Sequence, residues 1–218
     1  MRRKKNDERL KRPEEPKKTP LVLTVGHSTR LLEDFTNLLK AHGVKMIVDV
    51  RTVPRSGHNP QFNLDTVPEA LRTVGIEYEH MSGLGGLRHA RSDSFNMGWH
   101  NLSFRGFADY MQTEEFEKSL HKLIRLAQRK TICLMCAEAV PWRCHRSLIA
   151  DALQVRGLSV EHIMNKSQRQ PHKLTPFALV DGTRVIYPAL NPNEIDISLS
   201  ENLSTIGAER NRRGGKRR

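Results

Sequence analysis

The sequence predicts an α/β fold, a single domain with a mostly parallel sheet flanked by helices in a Rossmann-like three-layer arrangement. Two observations carry this. Short apolar, β-branched runs alternate with segments of helical period from residue 21 to residue 164. Glycines at 43, 75 and 157 fall where three of those helical segments should stop.

Leu21-Val22-Leu23-Thr24-Val25 ends at Gly26 and reads as a buried strand. Leu31, Leu32, Phe35, Leu38 and Leu39 recur at helical spacing, with Ser28 or Thr29 as cap and Gly43 as stop. Met46 to Val50 is the second strand. A helix carrying Leu64, Val67, Leu71 and Val74 follows, with Pro68 in its first turn. Ile76 to Met81 is the third strand. Residues 82–103 have no clear period and are long for a connection, which predicts a lid or binding loop. Phe107, Tyr110 and Met111 form a short helical face. Thr113-Glu114-Glu115 opens a longer helix with negative charge in its first turn. Thr131 to Cys136 is the fourth strand, Cys144 to Arg156 a helix, and Val160 to Met164 the fifth strand. Phe177 to Tyr187, broken by Asp181-Gly182, predicts a β-hairpin extension. The organisation is therefore a tail at 1–18, the α/β domain at 19–166, the hairpin extension at 167–190, and a second tail at 191–218.

The formal net charge of +12 is concentrated in the tails: residues 1–18 carry +5 and residues 208–218 another +5. Both tails lack apolar residues able to repay ordering entropy, so they read as disordered. Basic tails favour phosphate backbones without sequence preference, or simply confer solubility. No run of about 18 apolar residues exists, so no membrane contact is expected. No apolar segment follows the basic N-terminus, which excludes a secretory signal. Three cysteines make no disulfide framework, and a reducing, cytoplasmic setting is expected. Nothing in the pattern specifies an oligomeric state.

Ligands of open parallel sheets bind outside the carboxyl ends of the strands. Polar residues converge there from four strands. The first supplies His27, Ser28 and Arg30, and the second Asp49, Arg51 and Arg55. The third is followed by His80, Gly85 and Gly86, the fourth by Cys136, Glu138, Arg143, Cys144, His145 and Arg146. The same segments, Val25-Gly26-His27-Ser28-Thr29, Asp49-Val50-Arg51 with Pro54-Arg55-Ser56, Leu84-Gly85-Gly86, and Cys136-Ala137-Glu138 with Cys144-His145-Arg146, resemble the DUF488 family. The resemblance covers roughly residues 21–165. It implies a compact α/β domain in a bacterial or archaeal setting and leaves the reaction unassigned.

Cys136 is the expected nucleophile, its thiolate favoured by nearby arginines and a helix N-terminus. The arrangement is similar to the anion loops of cysteine phosphatases and rhodaneses, but six residues rather than five separate Cys136 from Arg143. The alternative is a small buried residue, as expected of Cys133. Cys133 and Cys136 are three apart on one strand and should face opposite ways, which excludes a redox pair. Glu138 is a general acid or base, or an ion-pair partner of Arg143 or Arg146. His27 is a proton shuttle or a hydrogen-bonded structural histidine. Asp49 orients His27 or caps a helix, so the catalytic set is Cys136, Glu138, His27 and Asp49. Ser28, Arg51, Arg55, Arg143, Arg146, Gly85 and Gly86 form the anion-binding set. Trp99, Phe104 and Trp142 offer base stacking or packing.

No cofactor motif follows the first strand, and no serine elbow or phosphate-binding Walker sequence is present. A metal is not favoured; zinc, if bound, would take Cys136, Cys144 and His145, with His27 or His80. The chain is therefore expected to be a cysteine-centred transferase or hydrolase acting on an anionic small molecule, a nucleotide or a nucleic acid. The alternatives are a non-catalytic nucleic-acid binder or a metal-binding protein.

Overall fold

A computed structural model describes residues 19–189. Its order is β1 (Leu21–Gly26), α1 (Leu32–Ala41), β2 (Met46–Asp49), α2 (Val67–Thr73), β3 (Glu77–His80), α3 (Leu102–Tyr110) and α4 (Glu114–Ala127). Then come β4 (Ile132–Cys136), α5 (Arg146–Gln154), β5 (Ser159–Ile163), β6 (Arg169–Pro171), β7 (Leu179–Asp181) and β8 (Arg184–Ile186). Six strands form one sheet in the order β3-β2-β4-β1-β5-β6, parallel except for β6.

Strands buried on both faces need continuous apolar runs, and side chains alternate between the two sides. Leu23, Val25, Ile47, Cys133 and Met135 pack against α1 and α2 through Phe35, Leu39, Val67 and Leu71. Val22, Val48, Leu134 and Cys136 face the other way, toward Phe107, Phe116, Leu120 and Leu148 of α3, α4 and α5. Three layers result. Each fully buried large apolar side chain contributes about 1.5–3 kcal/mol by leaving water.

Several boundaries differ from the sequence reading, each for a local reason. Neither Ser28 nor Thr29 caps α1: the helix opens after Leu31 without a side-chain cap, and Ser28 instead sits at φ +52. The last predicted helix starts two residues later, at Arg146, leaving Cys144 and His145 in the turn before it. β6 has no apolar pattern, because its three residues are exposed on the sheet edge, where Pro171 is tolerated. Residues 82–103 open with a 3-10 turn at Ser82–Leu84 and run into the start of α3, and the coil between is fastened rather than a free lid. Ser94 Oγ and Asn96 Nδ2 donate to Asp109 Oδ1 at 2.6 and 2.8 Å, and the Arg91 amide donates to Oδ2 at 2.9 Å.

The hairpin is as predicted, with Gly182 at φ +58 in its turn. It is tied to the core: Tyr187, just past β8, is fully buried and donates to Asp151 Oδ2 at 2.8 Å. Both basic tails lie outside the described residues. Among the described residues, no helix is long and apolar enough to cross a membrane.

Candidate active site

The site grows out of three adjacent strand ends. Gly26 ends β1 directly beside Cys136 at the end of β4. A Cβ on Gly26 would lie 1.9 Å from the Glu138 carbonyl oxygen, so only glycine lets the two exit loops touch. The His27 amide donates to Cys136 O at 2.9 Å and the Ser28 amide to Ala137 O at 2.9 Å, zipping these loops together. The chain then turns through Pro141–Arg143 and delivers Cys144 back to Cys136, immediately before the first turn of α5.

Arg146 is 1% exposed, yet no carboxylate among the described residues lies within 4.0 Å of it. Its Nε donates to Cys144 Sγ at 3.3 Å, its Nη1 to Thr24 Oγ1 at 3.4 Å, and its Nη2 to the Glu138 carbonyl. A buried cation needs an anion. Cys144 Sγ is the one partner able to become that anion. The neighbouring Cys136 thiol, its sulfur within 4.8 Å, draws the Cys144 pKa well below the usual thiol range, and Arg146 acts in the same direction, against burial. The same proximity, with burial, pushes Cys136 up. Of the two thiols, Cys144 is the one the Arg146 guanidinium contacts, and so the one whose ionisation it favours. Cys133 points to the opposite face and burial raises its pKa too.

Asp49, fully buried, is spent on Arg51. It accepts from Arg51 Nε at 2.9 Å, Arg51 Nη2 at 2.5 Å, the Arg51 amide at 3.1 Å and Tyr78 Oη at 2.7 Å. Burial works against the Arg51 charge, but these bonds more than offset it and its pKa rises. Arg51 also donates from Nη2 to Phe62 O at 2.6 Å and from Nη1 to His27 Nε2 at 3.2 Å. A guanidinium has five N–H groups. Four are used, and one Nη1 hydrogen remains for the cleft that Arg51 lines.

His27 is stacked on Phe62 at 4.2 Å and donates from Nδ1 to Ser28 O at 2.8 Å. Burial, then the neighbouring Arg51, lowers its pKa to about 4, despite the raising effect of Ser28 and Asp49. With both nitrogens committed, the neutral ring positions Arg51.

His145 Nε2 donates to Val50 O at 3.0 Å, which leaves Nδ1, 3.7 Å from Cys144 Sγ, facing the thiols. A Cβ on Gly86 would lie 2.4 Å from that Nδ1, so glycine is what gives the ring its place. The donor atoms of Cys136, Cys144 and His145 all lie within 4.8 Å of one another. This set suits zinc in ligand type, with His145 held by a backbone carbonyl as metal-bound histidines commonly are.

These groups open onto a cleft of about 380 Å³. His27, Arg51, Cys136, Cys144 and His145 line its floor, and Arg55, Arg143, Glu138 and Gly86 its sides. Arg55 and Arg143 are exposed. Glu138 is exposed as well, with Oε1 accepting from the Val140 amide at 2.9 Å. Six expected residues do not line the cleft: Ser28, Arg30, Asp49, His80, Gly85 and Arg146. Ser28 serves the loop zipper, and Gly85 packs where a Cβ would meet Thr52 Oγ1 at 2.5 Å. Asp49 and Arg146 act from behind, each through a neighbour.

Sequence reasoning missed a buried chain behind the thiols. Arg146 donates to Thr24 Oγ1, which meets His162 Nδ1 at 2.7 Å. His162 Nε2 lies 3.1 Å from His172 Nδ1, and His172 Nε2 donates to Asp151 Oδ1 at 2.7 Å. Its members come from β1, α5, β5 and the end of β6, so no local motif announces it. Burial, then His172 and Arg146, lowers the His162 pKa to about 4.

Fold and site together define an α/β protein with a thiol pair and arginines in a cleft at the carboxyl edge of its parallel sheet. The chain belongs to the DUF488 family, described as "Domain of unknown function DUF488", which matches residues 31–153. That span holds both thiols and the Asp49–Arg51 pair, while the His27 segment lies just before it. No curated protein and no solved structure matches the chain.

Proposed function

We propose that the protein is an enzyme that transfers or hydrolyses a phosphoryl group of a nucleotide or nucleic-acid substrate, with Cys144 as nucleophile. One observation carries the reading: Arg146 is buried with no carboxylate partner among the described residues, 3.3 Å from Cys144 Sγ. The sulfur is thus its natural counter-ion, a thiolate beside the N-terminus of α5. Cys136 supports that charge as hydrogen-bond donor instead of serving as the nucleophile itself.

In this reading the free Nη1 hydrogen of Arg51, with Arg55 and Arg143 at the rim, holds the phosphoryl oxygens. Cys144 Sγ attacks phosphorus; an S–P bond forms as the P–O bond to the leaving alcohol breaks. Glu138 gives the departing oxygen its proton. Water then attacks the thiophosphoryl intermediate, returns its proton to Glu138, and releases phosphate and the Cys144 thiolate.

A second reading has its own observation, the Cys136–Cys144–His145 donor set. Three donors facing a cleft leave a fourth position open, as in catalytic zinc sites. The buried Arg146 cation against Cys144 Sγ opposes a second cation there, which favours the nucleophile.

The test is turnover of a panel of nucleotide phosphate esters and phosphorylated oligonucleotide ends, with and without a chelator. Cys144→Ser should lose at least about a hundredfold, and the chelator should do nothing. Full activity in Cys144→Ser would remove the nucleophile. Loss on chelation with recovery on added zinc would establish the metal reading.

A further inference from the structure

A second cleft, of about 270 Å³, lies across the Pro141–Arg143 turn from the thiols and is walled by Trp99, Trp142 and Phe177. It has no part in the chemistry above. Ligand pockets usually span about 300–1,000 Å³, so this one suits a single ring system. Three observations indicate which.

First, the aromatic supply is unusual. The chain has two tryptophans, and both line this cleft. Trp142 is 60% exposed at the tip of its turn, with no packing duty among the described residues to account for so large a face. Second, the walls of the two clefts adjoin. Trp142 is followed by Arg143, which lines the thiol cleft, and Trp99 packs on Phe104, another thiol-cleft residue, at 4.7 Å. Third, Trp99 Nε1 is buried and has no acceptor among the described residues. An N–H in that condition is a donor awaiting a partner. Ring nitrogens and carbonyl oxygens on the edge of a nucleobase are such partners, and its π-face is the partner for Trp142.

We propose that this cleft is the base subsite for the nucleotide whose phosphate occupies the Arg51–Cys144 cleft. The assignment rests on reading the thiol cleft as an anion site. It makes the substrate a nucleotide unit, with the base held by Trp142 and Trp99 and the phosphate by arginine.

Because no other tryptophan exists in the chain, intrinsic fluorescence reports this cleft alone. The full chain is titrated with AMP, CMP, adenosine and inorganic phosphate. Tryptophan emission is followed together with protection of Cys144 from iodoacetamide, read by peptide mass spectrometry. AMP should shift the emission and protect Cys144, while inorganic phosphate should protect without shifting it. Trp142→Ala should weaken AMP about tenfold or more and leave phosphate protection unchanged; the side chain is exposed, so the fold should tolerate the change.

Equal protection by AMP and phosphate, unmoved emission and an indifferent Trp142→Ala would overturn the base subsite while leaving the anion site standing. An emission shift with adenosine and AMP but no protection by any probe would remove the anion reading and with it the assignment to a nucleotide, leaving only a cleft that binds a base. Silence in both readouts for every probe would overturn both.

Discussion

Arg146 and Arg51 are both buried guanidiniums, but the protein neutralises them differently. Arg51 has a carboxylate, Asp49, in a forked pair; Arg146 has a sulfur. Removing one member of a buried pair leaves the other uncompensated at a cost of about 3–5 kcal/mol. Asp49→Asn should therefore lower stability by about that much in denaturant unfolding, while Glu138→Gln at the exposed rim should leave stability nearly unchanged. Cys136→Ala should act differently. It removes the neighbouring thiol that draws the Cys144 pKa down, so the Cys144 pKa should rise and its alkylation at neutral pH should slow. The residues themselves were largely legible in the sequence, because a cysteine, an acid and a Cys-His-Arg cluster at a strand end are an unusual company. Which cysteine carries the charge was not. That depends on Arg146 Nε reaching back to the sulfur of Cys144, a contact set by the turn at Pro141–Arg143 and invisible in spacing.

At the level of elements, the first turn of α5 and the ends of β1 and β5 form one polar unit behind the site. Arg146 donates to Thr24, and the chain continues through His162 and His172 to Asp151. Thr24→Val keeps the shape of the side chain but leaves buried partners on both sides unsatisfied, at about 1–3 kcal/mol. Its unfolding midpoint should fall by that measure and Cys144 alkylation should slow with it; Thr24→Ser should restore both. The central strands β1, β2 and β4 could be read from the sequence because burial on both faces demands unbroken apolar runs, and β3 from the alternation of Ile76 to Met81. The same logic hides β6, an exposed three-residue edge, and hides a hydrogen-bonded chain assembled from four elements. The α1 cap was misplaced because Ser28, a natural capping residue, is instead consumed in a left-handed turn joining the loops after β1 and β4.

For the molecule as a whole, two buried neutral imidazoles set an acid limit. His27 and His162 are each lowered from 6.5 to about 4, chiefly by burial. The unfolded chain takes up these protons first as pH falls, so the folded state loses ground from about pH 6.5 and the loss is complete once pH drops below about 4. Each imidazole accounts for at most about 3 kcal/mol. Denaturant unfolding against pH should show this decline, and His162→Asn should remove part of its slope. A flat profile across that window would mean that the two rings are not buried neutral. The fold class followed from alternating strands and helices, and the hairpin from its Asp-Gly turn. That the hairpin is anchored through Tyr187 to Asp151 of α5 could not be read, since 36 residues separate the two.

The central claim is that Cys144 is a thiolate, and the pH dependence of its alkylation tests it most directly. Peptide mass spectrometry follows Cys133, Cys136 and Cys144 separately in the folded chain, with and without a chelator. Modification of Cys144 should be rapid well below the ordinary thiol pKa of about 8.5, with Cys136 slow, Cys133 silent and the chelator without effect. A Cys144 that reacts no faster than an ordinary thiol would contradict the account, as would one that reacts only after chelation.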